Sequence, residues 1–309
     1  MLSPVGGPIP SLELVREAKL HEILGPSTGA RLEASGVVAR DGRLYVVFDS
    51  SSEIASVHAE LMLGSGVNRV ISEGPGRPVG YEDLAHDPSS NRFFALIEAL
   101  PKHGAGLMAR VDEYDHELRY IKSAWLDFPL DQANKGLEGL TCVRREEGIY
   151  LLALCEGNRC RGGLSGERPG SGRIQVFREG VHHWEHVTTI RLPPALEFLD
   201  YSSIALADDR IAVLSQASSA LWIGELSRST LEVVSEGRFY QFPRDGEGRT
   251  LYCNVEGVSW IAPDRLVVVS DRMKPAGQQK RCRSKDQSIH LFLLPPDAGG
   301  LDSAAAGAR

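Results

Sequence analysis

The chain has 309 residues, of which 42% are hydrophobic, so it can bury a sizeable core as one large domain or two medium ones. Its formal net charge of −7 argues against the sequence-independent phosphate contacts that nucleic-acid binding requires, so DNA and RNA are not expected as partners. No apolar run approaches the length of a membrane-spanning helix, and five cysteines do not suggest a disulfide-built secreted module. We therefore expect a cytoplasmic monomer with no membrane partner, although a secretion signal that had been removed would leave the same sequence.

A repeated unit organises the chain. Each copy opens on a polar residue, continues as a short strand, turns, and forms a strongly apolar strand that ends on a polar residue. The copies begin at Ser35, Glu82, Glu138, Ser202 and Glu256. Their starts are 47 to 64 residues apart, which suits four-stranded propeller blades with loops of variable length.

The remaining strands follow each copy in chain order. Third and fourth strands are predicted at 53–58 and 68–72, 106–113 and 118–128, 173–178 and 184–192, and 220–226 and 231–242. The fifth copy has a third strand at 288–294, and the N-terminal segment 12–20 can supply its fourth strand and close the ring. The predicted fold is all-β, a five-bladed β-propeller of residues 1–298 with a disordered tail at 299–309. A six-bladed alternative would need another inner hairpin, which we do not find.

The hairpin geometry places two polar rings around one axis. In an antiparallel hairpin the start of the first strand and the end of the second lie at the same end. The inner ring is formed by the five residues that open the copies. The second ring is formed by the residues that close the second strands, Asp49, Glu98, Glu156, Gln216 and Asp271.

This arrangement of oxygen ligands predicts a metal site. Three carboxylates in a narrow channel repel one another by about 4 kcal/mol per close pair at intermediate dielectric. A hard cation relieves this repulsion, and Ca²⁺ is the first candidate because it takes six to eight oxygen ligands, whereas Mg²⁺ demands stricter octahedral geometry. The predicted ligands are Ser35, Glu82, Glu138, Ser202 and Glu256. The alternative is a set of solvated carboxylates in a wet channel.

The order Ser, Glu, Glu, Ser, Glu at the strand openings resembles the calcium-activated nucleotidases of the apyrase family. Residues 35–38 read Ser-Gly-Val-Val and residues 43–49 read Arg-Leu-Tyr-Val-Val-Phe-Asp, which is similar to that family's Ser-Glu-Leu and Leu-Tyr-x-x-Asp-Asp-Arg segments. The Glu-Gly-hydrophobic openings also resemble the SdiA-regulated and phytase-like esterase propellers. The resemblance implies a five-bladed propeller with calcium in its channel. The chain departs from the pattern at residues 48–50, Phe-Asp-Ser, where the phosphate-clamping arginine is missing.

Long basic loops are predicted over the channel mouth, at 157–173 and 272–285. A metal beneath arginines favours a small anionic ligand, and one hypothesis is a calcium-dependent hydrolase of a phosphoester. Water would be activated by Glu98, Glu156 or Asp271, and developing charge would be stabilised by Arg159 or Arg272. Alternatives are a non-catalytic calcium-stabilised propeller that binds an anion or a protein partner, and a metal-dependent lyase or isomerase.

The cysteines fall into two predicted groups. Cys155, Cys160 and Cys282 are expected to meet over the channel, either as a disulfide with a free thiol or as a soft-metal site. Their spacing lacks the Cys-x-x-Cys pattern of zinc motifs. Cys142 and Cys253 lie beside inner strands and are expected in the core.

Overall fold

The computed structural model of the protein describes residues 8–25, 32–63, 66–73, 75, 79–133, 135–227, 229–272 and 279–296. The predicted disordered tail, 299–309, lies outside the described residues. Most of the described secondary structure consists of short β-strands, as expected from the many Val, Ile, Leu and aromatic residues that lie between turn residues.

The strands form five consecutive groups. The N-terminal strand is β1 (Glu13–Lys19). The first full group is β2 (Ala34–Arg40), β3 (Arg43–Phe48), β4 (Ser51–His58) and β5 (Arg69–Glu73), and the second is β6 (Leu84–Asp87), β7 (Arg92–Lys102), β8 (Gly106–Tyr114) and β9 (Tyr120–Leu130). The third is β10 (Leu137–Arg145), β11 (Gly148–Cys155), β12 (Arg173–Glu179) and β13 (Trp184–Arg191), and the fourth is β14 (Ser203–Ala207), β15 (Arg210–Ser215), β16 (Ala220–Glu225) and β17 (Arg238–Gln241). The last strands are β18 (Val255–Ala262), β19 (Arg265–Ser270) and β20 (Ser288–Leu293). Helical segments are short: α1 (Leu20–Leu24), α2 (Gly163–Gly166) and the 3₁₀ turns Asn158–Cys160 and Lys280–Ser284.

Within each group, consecutive strands pair antiparallel. Three sheets have four strands, and one has eight because a single parallel bridge between Trp184 and Leu126 joins the second and third groups. The fold is therefore all-β, built mostly of four-stranded antiparallel sheets and consistent with a propeller. In the sheet that holds both chain ends, β1 pairs with β20 from Glu13 opposite Leu293 to Lys19 opposite Ser288, which is the pairing the sequence predicts.

The hydrophobic core lies between sheets. Five clusters of buried apolar side chains are found among the described residues, and each combines side chains of two neighbouring groups. Phe94 of the second group packs edge-on against Trp184 of the third, for example, with ring centroids 5.5 Å apart. Such burial stabilises the fold by about 1.5–3 kcal/mol per large apolar side chain. Because apolar side chains fill the spaces between sheets, the axis is left to polar residues.

β-Bulges aim polar residues at the axis. Ser35, Glu138 and Glu256 each occupy the extra position in a register shift, between Ala34 and Gly36, Leu137 and Gly139, and Val255 and Gly257. A bulge inserts one unpaired residue and re-aims its side chain. The sequence indicated which residues open the strands, but it did not indicate the bulges.

The glycine after each bulge allows the first strands to approach closely. A Cβ atom on Gly139 would lie 2.9 Å from the backbone nitrogen of Ile204. A Cβ on Gly257 would lie 2.8 Å from the Cα of Gly36. These distances are shorter than ordinary van der Waals contact, so any side chain here would push the neighbouring strands apart.

Two disulfides cross-link the loops, and they differ from the expected arrangement. Cys155 bonds to Cys160, while Cys282 bonds to Cys253, so the prediction that Cys282 joins the first pair over the channel is wrong. Cys253 was misassigned to the core because its loop partner lies 29 residues away, a separation that gives no local signal. Cys142 is a free, half-buried thiol. Among the described residues, no helix is long and apolar enough to cross a bilayer.

Candidate functional site

A cavity of about 480 Å³ lies where the first strands begin and the second strands end. It is lined by all ten residues of the two predicted rings, Ser35, Asp49, Glu82, Glu98, Glu138, Glu156, Ser202, Gln216, Glu256 and Asp271. Three further lining residues were not predicted, Lys135, Asp200 and Tyr201. The antiparallel geometry of the hairpins therefore brings both rings to one place.

The cavity is strongly acidic. Its lining contains eight carboxyl groups and one ammonium group, that of Lys135. At the centre, Glu98, Glu138 and Glu156 offer carboxylate oxygens that all lie within 4.8 Å of one another. Two ionised carboxylates at that separation repel by about 3.5 kcal/mol at an effective dielectric of about 20. These three residues could hold a metal ion.

The buried carboxyls carry raised pKa values. Burial, followed by the charges of Glu98 and Asp49, raises the pKa of Glu82 to about 8. Burial, with the neighbouring carboxylates, raises the pKa of Glu138 well above its usual range. Burial also raises the pKa values of Glu98 and Glu156. Without a cation, the cavity therefore retains protons, because its carboxyl groups cannot all ionise together.

Two groups around the start of β10 bind the acidic cluster. The ammonium of Lys135 donates to the carboxylate of Glu156, and the amide of Gly136 donates to Glu98 at 3.0 Å. The other carboxylate oxygen of Glu156, Oε2, is buried and has no hydrogen-bond partner. An unpartnered buried carboxylate oxygen is a costly arrangement that a bound cation would satisfy.

The hydroxyl groups of the inner ring remain able to act as ligands. Ser35 Oγ donates to the carbonyl of Tyr81, and Ser202 Oγ donates to the carbonyl of Val255 at 3.2 Å. A serine oxygen that donates its hydrogen keeps its lone pairs available as acceptors. Two positions of the inner ring lack a carboxylate, and their serines thus complete a ring of oxygen donors.

The buried carboxylate of Asp83 lies beside the cavity, among the first strands. Asp83 is only 1% exposed, and its Oδ2 accepts from the amide of Leu140 and the hydroxyl of Ser203, each at 2.9 Å. The same hydroxyl accepts from the amide of Val258 at 3.1 Å. A Cβ on Gly36 would lie 2.5 Å from Asp83 Oδ1. Asp83 therefore hydrogen-bonds to β10 and to Ser203 of β14, and it lies against Gly36 of β2.

The two predicted arginines lie outside the acidic cavity. Arg159 lines a different cavity, next to Ser171 and Arg173. The Arg272 guanidinium is half-exposed and lies 4.0 Å from the carboxylate of Glu33. Neither arginine is among the residues that line the acidic cavity, and the cation there is instead Lys135.

The sequence contained a weak signal for the missed lining residues. Tyr201 and Tyr81 occupy the same place in their repeats, immediately before the polar residue that opens the first strand. Asp200 precedes Tyr201, and Lys135 lies three residues before Glu138. Extending the repeat alignment upstream of each opening residue would have included these positions.

A Ser-His-Glu arrangement elsewhere is structural. Ser270 Oγ lies 3.0 Å from His290 Nε2, and His290 Nδ1 lies 3.1 Å from the carboxylate of Glu17. Nucleophilic catalysis requires an accessible hydroxyl oxygen. Ser270 is 1% exposed and His290 is fully buried, and neither lines the acidic cavity. The three residues satisfy one another's hydrogen bonds within the sheet that contains both chain ends.

Comparison with known proteins identifies the fold. The sequence matches no family model and no curated protein. Among solved structures, the glutaminyl cyclase of Myxococcus xanthus is similar over 93% of this chain and 97% of its own, with 11% identity and a TM-score of 0.54. The PQQ-bound aldose sugar dehydrogenase of Streptomyces coelicolor matches over 92% and 98%, with 15% identity and a TM-score of 0.46. A luciferin-regenerating enzyme matches over 85% and 78%, with 12% identity and a TM-score of 0.44. The chain is thus structurally similar to β-propeller proteins, and no specific family is assigned.

Proposed function

We propose that the protein is a five-bladed β-propeller that binds Ca²⁺ in its acidic cavity and uses it to hydrolyse a small ester. The first strands support the blade count because β2 contacts β6 and β18, β10 contacts β6 and β14, and β14 contacts β18. These contacts close a cycle of five. The five interfacial clusters follow the same cycle.

The observation that carries the proposal is the convergence of Glu98, Glu138 and Glu156, whose oxygens lie within 4.8 Å of one another. The buried Oε2 of Glu156 belongs to the same cluster and is consistent with a cation there. Glu82 and Glu256 line the same cavity and would extend the ligand set, together with the two ring serines. The donors are all oxygens, and their number suits Ca²⁺ better than the strict octahedron of Mg²⁺.

A titration tests the metal site. Protein stripped with EDTA is titrated with Ca²⁺ and with Mg²⁺ by calorimetry. We expect Ca²⁺ to bind more tightly, and Glu138→Gln to weaken Ca²⁺ binding by more than about tenfold, since it removes a charged ligand at the centre of the cluster. The exposed Glu146, in the turn between β10 and β11, provides the control Glu146→Gln. Equal Ca²⁺ affinity in both variants would refute the axial site.

The lining residues that would not bind the metal suggest how an ester could be hydrolysed. A bound cation would polarise the ester. Glu98 and Glu156 belong to the carboxylate cluster, so Asp271 is the remaining predicted base that lines the cavity. Asp271 is 7% exposed and accepts a hydrogen bond from the amide of Arg272, which fixes its carboxylate. Asp271 would accept a proton from water, and Lys135 would stabilise negative charge on the substrate.

Turnover assays test the catalytic part. The calcium-loaded protein is assayed with p-nitrophenyl phosphate and with the neutral p-nitrophenyl acetate. Asp271→Asn should lower kcat by about 10²-fold or more while Ca²⁺ affinity is retained, because general-base catalysis contributes at least that factor. Unchanged turnover in this variant would exclude Asp271 as the base.

A second candidate is a non-catalytic propeller in which Ca²⁺ only stabilises the fold and an anionic ligand or protein binds elsewhere. It is favoured by the location of Arg159 and Arg272, which do not line the acidic cavity. Calcium binding without any turnover of either ester would support this candidate over the hydrolase.

The disulfides revise the proposed location. Disulfides persist mainly in oxidising compartments, so Cys155–Cys160 and Cys253–Cys282 favour such a compartment over the cytoplasm. Thiol titration of denatured protein from its native source should then detect one thiol per chain, that of Cys142. Five reactive thiols would support the cytoplasm instead.

A further inference from the structure

A second cavity, of about 800 Å³, lies between the third group of strands and the segment 233–236 of the fourth. It is lined by three arginines, Arg159, Arg173 and Arg191, and by a single acidic residue, Glu236. This local excess of positive charge contrasts with the net charge of −7 of the whole chain. It also lies apart from the acidic cavity, with which it shares no lining residue.

The three guanidinium groups lie close enough to repel one another. Arg173 on β12 is directly opposite Arg191 on β13 in the sheet register. Among the described residues, no ion pair or side-chain hydrogen bond is found for these three arginines, and the Nε of Arg173 is buried without a partner. Burial, then the charges of Arg191 and Arg159, lowers the pKa of Arg173. Like charges gathered in this way favour an anion that would neutralise them.

The loop that carries Arg159 is rigidly held. The side chain of Asn158, which is fully buried, donates to the carbonyls of Gly166 and Phe198, each at 3.1 Å, and accepts from the amide of Ser171 at 2.9 Å. Arg159 itself has a φ of +61°, a conformation that an ordinary residue adopts only when its surroundings impose it. The adjacent disulfide of Cys160 fixes the loop further. The backbone of Arg159 is therefore positioned before any ligand arrives, and its side chain is exposed.

Part of the lining is apolar. Leu192, Pro193 and Pro194 follow Arg191 at the end of β13, and Val233 and Val234 are contributed by the fourth group of strands. A site that combines an arginine cluster with apolar lining residues fits a molecule with an anionic head and a hydrophobic body.

We propose that this cavity binds a phosphate monoester, with the phosphate held by Arg159, Arg173 and Arg191 and the organic group against the apolar lining residues. Arginine forms bidentate hydrogen bonds with phosphate oxygens, and a dianion compensates the clustered charges best. The site does not depend on the proposed metal or on catalysis in the acidic cavity.

Calorimetry with EDTA-treated protein tests the proposal, because the chelator removes any contribution of a metal in the acidic cavity. The probes are phenyl phosphate, inorganic phosphate and phenol. We expect phenyl phosphate to bind more tightly than inorganic phosphate, and phenol not to bind. Arg173→Met and Arg191→Met should each weaken binding of phenyl phosphate by about tenfold or more, since each removes charge-assisted hydrogen bonds.

The control is Arg178→Met, on the same strand as Arg173 but paired with Glu185 at 3.0 Å. It should leave the affinity unchanged, as should Glu138→Gln in the acidic cavity. Arg191 is exposed, so its replacement should not unfold the protein. The proposal is overturned if phenyl phosphate does not bind saturably, if Arg191→Met binds it as the parent does, or if Glu138→Gln abolishes binding.

Discussion

Raising the pH of the metal-free protein should destabilise it, and Glu82 contributes a part of the effect that a variant can measure. Burial, followed by the carboxylates of Glu98 and Asp49, raises the pKa of Glu82 from 4.5 to about 8. Between these values the folded protein keeps a proton that the unfolded chain has released, so stability decreases as the pH rises through this window. The difference between the two pKa values corresponds to about 5 kcal/mol of unfolding free energy, since each pH unit is worth about 1.4 kcal/mol.

Other groups titrate nearby, and a matched variant removes their contribution. Burial lowers the pKa values of His86, His186 and His290, so these residues stabilise the protein as the pH rises towards about 6.5, in the opposite direction to Glu82. The hydrogen bond with His290 lowers the pKa of Glu17 to about 2, and its effect is confined to pH below 4.5. The Glu82→Gln variant shares all these groups, so the difference between the two proteins reports the Glu82 carboxyl together with its electrostatic coupling to Glu98 and Glu138.

The assay is urea unfolding in EDTA at a series of pH values, with the disulfides intact. The stability of the parent relative to Glu82→Gln should fall by about 4 kcal/mol between pH 5 and pH 8. Glu146→Gln, at an exposed position, should run parallel to the parent. Calcium at 100 times its dissociation constant should stabilise the parent by about 2.7 kcal/mol. The affinity for Ca²⁺ should increase with pH, because protons compete for the same carboxylate oxygens. Parallel pH profiles for the parent and Glu82→Gln would show that Glu82 is ionised in the folded protein and would refute the reasoning.

Three further predictions concern the axis. Gly139→Ala places a Cβ 2.9 Å from the nitrogen of Ile204 and should lower the unfolding free energy, measured by denaturant titration, by about 1–3 kcal/mol. The control Gly246→Ala should leave the unfolding free energy nearly unchanged, because its Cβ would meet no atom within 4 Å. Asp83→Ala leaves the buried Leu140 amide and Ser203 hydroxyl without an acceptor and should lower the unfolding free energy by about 3 kcal/mol or more. A melting curve like that of the parent would contradict this expectation. Lys135→Met removes the only cationic side chain among the described lining residues. Calorimetry should therefore show tighter Ca²⁺ binding, and kinetic assays should show a lower kcat. Weaker Ca²⁺ binding would indicate that the lysine organises the ligands.

Much of the site could be predicted because the repeat and the hairpin together determine geometry. Once Glu138 opens a strand and Glu156 closes the next, antiparallel pairing must bring them to the same end. Ser35 and Asp49 line the cavity together for the same reason, although they are separated along the chain. Strand pairing at the chain ends was also accessible, since only Glu13–Lys19 could complete the last sheet.

Loops could not be predicted in the same way. Arg159 was expected over the acidic cavity because its loop follows β11 there, but the buried side chain of Asn158 and the Cys155–Cys160 disulfide fold that loop against the fourth group of strands. The first of these constraints is long-range, because Asn158 donates to the carbonyl of Phe198, 40 residues later. Composition and spacing describe such a loop as basic and glycine-rich, and they do not indicate which cavity its arginine lines.

The second residue of each repeat determines what fills the space beside the acidic cavity. Three repeats have glycine there, which lets their strands meet closely at the axis, whereas the second repeat has Asp83 and the fourth has Ser203. The buried Asp83 carboxylate accepts the Ser203 hydroxyl and the Leu140 amide, and so occupies the space that the glycines leave. Burial raises the pKa of Asp83 well above its usual range, even though these hydrogen bonds oppose the shift. The channel is therefore filled beside the ring of Glu82, Glu138 and Glu256, so the proposed cation and substrate would enter from the face where the second strands end.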